Sequence, residues 1–343
     1  MAVNETPPFW FEKPGVRAWL LSPFAWLYSR AAARTMNMQP SGSVPVPVIC
    51  VGNFIAGGGG KTPTALALCL AAREAGFRPG FLSRGYGGRV NHPTIVDTGK
   101  HNAIDVGDEP LLLARSAMTV VSPDRIAGAN LLAEQGADFI IMDDGFQNPR
   151  LRRDYNLVVV DSRRGIGNGF AIPAGPLRLD LKTQMMKADG VLVVGGDPGA
   201  DPVIRRTAKG GKPVFLAKLN MIEPKRWKGR ALIAYAGIAD PFKFFDSLGK
   251  AGAKLSLVQP FGDHHYFHDD EIKELINRAK LMGAGLVTTA KDMARLLNMG
   301  PEHQKLADIS EVSEVKLTFD DEATPARIIA KTVERFEARM LAK

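Results

Sequence analysis

Residues 48–51 (Val-Ile-Cys-Val) form a continuous apolar run too short for a helix. A short, largely β-branched run of this kind reads as a strand buried on both faces. Comparable runs return at 80–83, 119–121, 138–143, 157–161, 191–194 and 214–219. Between them, helices are expected at 61–75, 108–117 and 124–134. Pro63 falls in the first turn of the 61–75 helix, where a missing N–H costs little, and Gly76 stops it. Apolar strands alternating with helices predict an α/β fold: a mostly parallel sheet with helices on both faces.

A smaller α/β unit is predicted from residue 229. Its strands fall at 231–236, 254–258, 286–289 and 315–319, and its helices at 241–251, 269–282 and 324–341. The turn-rich, charged stretch 220–228 divides the two. The expected organisation is therefore 1–40, 41–222 and 229–343, with the packing of the last helix left open.

The N-terminal 40 residues stand apart. Phe9, Trp10, Phe11, Trp19, Phe24, Trp26 and Tyr28 crowd together, and Arg17, Arg30 and Arg34 flank the part from 18 to 28. The apolar part, 18–28, is interrupted by Pro23 and falls short of the roughly 20 residues a bilayer-spanning helix needs. It lacks the small-residue cleavage site of a signal peptide. Aromatics with flanking arginines suit a helix lying in a membrane surface. A terminal helix docked on the core by its aromatics fits the pattern equally well.

The chain has 343 residues, 45% of them hydrophobic and 23% charged, which is ordinary for a globular protein long enough for two domains. Cys50 and Cys69 lie in apolar elements and read as buried free thiols of a reducing compartment. The net charge of +8 is unevenly spread: residues 150–230 hold 17 Lys/Arg against 7 Asp/Glu. A local basic face suggests an anionic partner, such as a phosphorylated substrate or anionic lipid. No RNA-binding aromatic motif or finger spacing accompanies it, which argues against nucleic acid.

The candidate chemistry begins after the first strand. Asn53 leads into Gly57-Gly58-Gly59-Gly60-Lys61-Thr62-Pro63, where the predicted helix opens. Glycines let a backbone approach an anion, and the helix N-terminus adds its dipole. Lys61 can reach nucleotide phosphates and the Thr62 hydroxyl can ligate Mg²⁺. Ile55 occupies the first glycine position of G-x-x-x-x-G-K-[ST], so the motif is imperfect. Asp143 and Asp144 end an apolar strand, where such sheets hold a metal, although a turn or helix cap would look the same. They run on into Gly145-Phe146-Gln147, a compact polar turn at the sheet edge. Asp108 and Glu109 open a helix and suit either its dipole or a role as proton acceptor or metal ligand. Residues 263–268 (Asp-His-His-Tyr-Phe-His) carry half of the six histidines. A zinc site is poorly supported without cysteine or an i, i+4 pair, and a histidine sharing a proton with a carboxylate fits better. Arg84, Arg125 and Arg178 each follow an apolar run and could clamp phosphate. Thr289-Ala290-Lys291-Asp292 has the wrong order for a guanine-reading box.

Together these motifs resemble the tetraacyldisaccharide 4′-kinase (lipid A 4′-kinase) family over nearly the whole chain. They are, in order, Pro45-Val46-Pro47, Val51-Gly52-Asn53, the loop 57–63, Ser83–Gly88, Gly107–Pro110, Asp143–Gln147, Pro173–Arg178, Asp263-His264 and Lys291-Asp292, with the aromatic stretch 19–29 ahead of them. The resemblance implies transfer of the γ-phosphoryl of ATP, with Mg²⁺, to the 4′-hydroxyl of a tetraacyl glucosamine disaccharide 1-phosphate in lipopolysaccharide biosynthesis. It implies a phosphate-loop domain, a smaller second domain and a membrane-associating N-terminal helix. The setting would be the cytoplasmic face of the inner membrane of a Gram-negative bacterium, with no nucleic acid and no obligate protein partner. By the same pattern Asp108 would be the base paired with His264, and Glu109 would assist at Mg²⁺ or the phosphates. Asn53, Gly57–Gly60, Lys61, Thr62 and Pro63 would serve the nucleotide, and Thr62, Asp143 and Asp144 the metal. Arg84, Tyr86, Arg125, Gln147 and Arg178 would meet substrate or phosphate. The chain departs from the pattern at Leu179, where many members carry an acid, and Asp180 follows one position later. Because Asp108 and His264 fall in different predicted domains, domain closure is expected to assemble the site. Two rivals remain at this level: a phosphate-loop transferase or ligase acting on a soluble anion, and a nucleotide-dependent switch or partitioning ATPase.

Overall fold

The computed structural model describes residues 7–342. The first six residues of the expected 1–40 segment, and Lys343, lie outside the described residues. Helix α1 (Val16–Met36) precedes β1 (Val48–Gly52) and α2 (Lys61–Glu74). The chain continues through β2 (Pro79–Ser83), β3 (Thr94–Ile95), α3 (Ala103–Val106), α4 (Asp108–Ala114), β4 (Thr119–Val121), α5 (Arg125–Glu134) and β5 (Phe139–Asp143). Next come β6 (Tyr155–Asp161), α6 (Leu181–Lys187), β7 (Gly190–Val194), α7 (Asp201–Lys209) and β8 (Val214–Met221). The second unit holds β9 (Ala231–Ala236), α8 (Pro241–Lys250), β10 (Lys254–Pro260), α9 (Asp269–Met282), β11 (Gly285–Thr289), α10 (Ala290–Leu296), α11 (Pro301–Ile309) and β12 (Ser310–Ser313). Strand β13 (Val315–Phe319) and helix α12 (Thr324–Leu341) end the fold.

The large sheet has nine strands in the order β13-β8-β7-β6-β1-β5-β2-β4-β3. Its seven inner strands run parallel, and β3 and β13 close the edges antiparallel. The strand period of two divides each apolar run between two cores. Val48 and Cys50 join α5, α6 and α7 on one face, while Ile49 and Val51 join α2, α4 and α12 on the other. That double burial explains why the run at 48–51 is apolar at every position. The second sheet, β10-β9-β11-β12, is all parallel.

The C-terminal stretch departs from expectation. Residues 229–343 are not one unit, because β13 pairs antiparallel with β8 in the large sheet. Leu317 and Phe319 face its core, and α12 follows them onto α2. A buried ion pair locks this return: Arg339 Nε donates to Asp154 Oδ1 at 2.8 Å, while Asp154 Oδ2 accepts from the Val48 N–H at 2.9 Å. The last helix is thereby tied to the start of the central strand.

Helix α1 docks mainly by small residues, with Met36 at its end. Ala18, Ala25, Ser29 and Met36 are buried, whereas Trp19, Leu20, Phe24, Trp26 and Leu27 are exposed. Ser29 Oγ accepts from the Asp180 N–H at 2.8 Å, and Trp19 meets Phe170 edge-on, with ring centroids 5.1 Å apart. Among the described residues no helix is long and apolar enough to cross a membrane.

Candidate active site

The glycine-rich loop leaves the carboxyl end of β1, the central strand, with β5 and β6 on either side. Gly52 is needed because a Cβ there would come within 2.3 Å of the Phe146 Cβ. Gly60 caps α2 in the left-handed region (φ 88°), where a side chain would be strained. Ile55 departs from the glycine pattern for a reason the structure supplies. Its side chain is buried in the core and its backbone bridges to Leu177, so this position anchors the loop rather than baring its backbone. Asn53 Nδ2 donates to the Gly57 carbonyl at 2.8 Å and staples the loop. Gly58 faces Ala239 of the second unit, Gly59 faces the backbone of Asp161, and Pro63 sits in the first turn of α2.

Lys61, almost wholly buried, lies 3.4 Å from Asp144 Oδ2 and donates to the Gly57 carbonyl. Arg178 Nη2 reaches the same Asp144 oxygen at 2.9 Å and Nε donates to the Ile55 carbonyl. Burial alone would raise the Asp144 carboxyl, but Lys61 and Arg178 outweigh it and hold the group well below its usual range. At Asp143, burial and then the nearby Glu109 charge outweigh the charges of Lys61 and Lys291 and push the carboxyl up to about 8. Both its oxygens, and Asp144 Oδ1, are buried without a hydrogen-bond partner. Thr62 lies buried beside Lys61 at the start of α2. Gln147 Nε2 donates to the Asn53 carbonyl (2.8 Å) and to Gln184 Oε1 (2.9 Å), and Gln184 donates to the Phe54 and Leu179 carbonyls. Gln147 thus braces the loop, and Gln184, which sequence reasoning missed, is its fully buried support.

The second cluster sits where α4 meets α10. Asp108 Oδ2 faces His264 Nδ1 at 3.0 Å and accepts from Arg295 Nε at 2.8 Å, while Oδ1 accepts from the Glu109 N–H. Desolvation would raise Asp108, yet His264, Arg295 and Lys291 hold it far below the usual carboxylate range. The same hydrogen bond lifts His264 above its ordinary value of 6.5, against partial burial. His264 itself is held at φ 58°. Glu109 pairs with Lys291 Nζ, and against burial Lys291 and Lys61 keep it ionised. Glu109 therefore stands between the two clusters: the Lys61 charge acts on it and its own charge acts on Asp143. Asp108 and His264 are already in contact, so no closure is needed to bring this pair together.

The remaining arginines divide. Arg178 belongs to the loop cluster, as above. Arg125 is buried at the start of α5, Nη1 donating to the Ser122 carbonyl at 2.5 Å, with Nε unpartnered. Burial, then the Arg84 charge, lowers it to about 10. Tyr86 is exposed, its ring 5.5 Å from that of His264. Asp180, the acid one position late, is occupied as the N-cap of α6, accepting from the Thr183 N–H. His265 pairs with Glu271 at 2.8 Å in the cap of α9. Among the described residues no group of three or more His, Cys, Asp or Glu could hold a metal, so the zinc reading gains no support. Arg295 and the buried Asp292 were missed as site residues. Lys291-Asp292 stood among the family motifs without a role, and Thr289-x-x-Asp292 is a cap pattern that the structure realises, the Asp292 N–H donating to Thr289 Oγ1 at 3.2 Å.

A loop of this shape at the carboxyl edge of a parallel sheet suits a nucleotide's phosphates, and the carboxylate–histidine pair beside it suits a hydroxyl proton. The class so defined is a kinase on a phosphate-loop-like α/β fold. Sequence comparison places it further: residues 17–334 match the tetraacyldisaccharide-1-P 4′-kinase family (LpxK), and the chain belongs to that family. It is 51% identical to the tetraacyldisaccharide 4′-kinase of Sinorhizobium fredii over 99% of this chain and 98% of that one. It is 49% identical to that of Agrobacterium fabrum, over 99% and 97%. Among solved structures, LpxK from Aquifex aeolicus in complex with ATP superposes with a TM-score of 0.70 at 26% identity, covering 92% of this chain and 99% of that one.

Proposed function

We propose that the chain transfers the γ-phosphoryl of ATP to the 4′-hydroxyl of a tetraacyl glucosamine disaccharide 1-phosphate, at the cytoplasmic face of the inner membrane. One observation carries the reading. The Glu109 N–H donates to Asp108 and its carboxylate pairs with Lys291, while Lys61 and Asp143 lie near enough for their charges to interact with it, so Glu109 stands between the loop cluster and the Asp108–His264 pair. Phosphoryl transfer needs that juxtaposition and charge neutralisation more than covalent chemistry.

The proton goes to the Asp108–His264 pair. Asp108 is expected as the base, but its oxygens already accept from His264, Arg295 and the Glu109 N–H. That favours a division of labour in which His264 Nε2 receives the proton while Nδ1–H stays on Asp108, whose charge compensates the imidazolium. Lys61, Arg178, Arg125 and Arg84 supply positive charge for phosphates, and Tyr86 and Gln147 line the approach. The orphaned oxygens of Asp143 and Asp144 fit a divalent cation, since an unpaired buried carboxylate is costly. Asp143, Asp144 and the Thr62 hydroxyl would hold Mg²⁺, whereas Glu109 is tied to Lys291 and does not group with the two aspartates as a third ligand. When bound, the ion neutralises phosphate charge.

The outward aromatics of α1 support a membrane-surface location, because the helix docks through Ala18, Ala25, Ser29 and Met36 and leaves Trp19, Leu20, Phe24, Trp26 and Leu27 in solvent. Transfer of label from γ-labelled ATP to the tetraacyl disaccharide 1-phosphate tests the reaction. Hydrolysis without a labelled lipid would sink the reading in favour of a nucleotide switch.

A further inference from the structure

Behind the Asp108–His264 pair lies a buried guanidinium that the proposed chemistry has not yet used. Arg295 is 1% exposed and sits on α10, in the second unit. Its Nε donates to Asp108 Oδ2 at 2.8 Å and its Nη2 lies 2.6 Å from the same oxygen. On the opposite side Nη1 donates to the Gly237 carbonyl at 2.6 Å and to Asp292 Oδ1 at 2.7 Å. The Gly237 carbonyl also accepts the backbone N–H of His264 at 3.1 Å. One planar side chain therefore holds both members of the pair, Asp108 through its carboxylate and His264 through the carbonyl that ties down its backbone. Asp292 holds the guanidinium in turn. It is fully buried, accepts from the Gly237 N–H at 2.8 Å, and takes the Thr289 hydroxyl on its other oxygen. A Cβ on Gly237 would come within 3.1 Å of Arg295 Nη1 and 3.0 Å of the Gly262 carbonyl, so a side chain there would crowd this contact.

We infer that Arg295 is a positioning residue for phosphoryl transfer, setting the mutual orientation of Asp108 and His264 across the junction of the two units. The inference rests on the reading of that pair as proton acceptor. An arginine suits the task because its fork binds several acceptors in one plane, which a lysine point charge cannot do.

The test is steady-state kinetics with ATP and the lipid acceptor on Arg295→Met, Arg295→Lys, His264→Ala and the Arg295→Met/His264→Ala double variant. If the pair works as a proton acceptor, kcat falls on the order of 100-fold in His264→Ala. Arg295→Met is expected to lose kcat to a similar extent, with the KM for ATP within about twofold and Arg295→Lys intermediate. In the His264→Ala background, Arg295→Met should cost less than about threefold, because residues acting as a unit are not additive. Two results overturn the proposal: Arg295→Met with near wild-type kcat, or equal losses with and without His264. If His264→Ala itself is fully active, the reading of the pair fails first, which separates the two ideas. Should Arg295→Met melt too low to assay, Arg295→Gln combined with Asp292→Asn leaves no stranded buried charge on α10 and carries the same expectations.

Discussion

Replacing Leu20, Phe24 and Leu27 together by glutamine tests the orientation of α1. The three are spaced i, i+4, i+7 and share one helix face. They are 70%, 63% and 60% exposed, so little of their surface helps hold the fold. Full burial of such a side chain stabilises by about 1.5–3 kcal/mol. With about two-thirds of each available to a membrane, the contribution is roughly 1–2 kcal/mol per residue and roughly 3–6 kcal/mol for three. At 1.4 kcal/mol per tenfold, membrane partitioning should drop by about 10²–10⁴, and the shallow, wetter interface favours the lower end. The assay is flotation of the purified full chain with phospholipid vesicles, beside a thermal melt. Unchanged flotation would refute the reasoning. So would a large fall in Tm, since that would mean the three residues pack in the core.

The converse substitution, Ala25→Leu, points into the body, where the residue is 2% exposed; overpacking there should cost about 1–3 kcal/mol and lower Tm. Asp143→Asn removes a carboxyl whose folded value, about 8, lies above its ordinary 3.8. For such a group the folded state binds the extra proton, so stability falls as pH rises between those values. In chelator-treated protein the Asn variant should therefore melt higher than wild type at pH 8, with the gap closing toward pH 4, while losing activity; no pH-dependent gap would refute this. The kcat/KM profile should show an acid limb above 6.5, because His264 must be neutral to accept a proton and Asp108 raises its value. An unchanged limb in His264→Ala would assign it to another group.

Much of the site was legible because its chemistry is local. The run at 48–51, the four glycines and Lys61 are contiguous, and the strand–loop–helix they form needs only short-range sterics and the helix dipole. Asp143 was legible for the same reason, as an acid closing an apolar strand. Arg295 was not. An arginine on a short helix reads as solvated, and only the packing of α10 against α4 buries it against Asp108. The docking of α1 was equally hidden, because its aromatics suited a core or a membrane alike and the choice lay with Ala18 and Ala25.

What the sequence by itself determined, then, was the alternation of the main strands and helices and the glycine-rich loop, since both follow from periodicity and contiguous residue types, whereas short elements such as β3, α6, α7, α10, α11 and β12 went unread. Tertiary structure alone decided which sheet β13 joins, since backbone pairing leaves no mark on the residue pattern: Val315–Phe319 alternates equally well for either sheet, and the Arg339–Asp154 pair accompanies it only across 185 positions of chain. It likewise decided that Asp108 and His264, 156 residues apart, face each other at 3.0 Å around one buried guanidinium, because a contact between distant residues is set by how helices and sheets pack and not by any local preference.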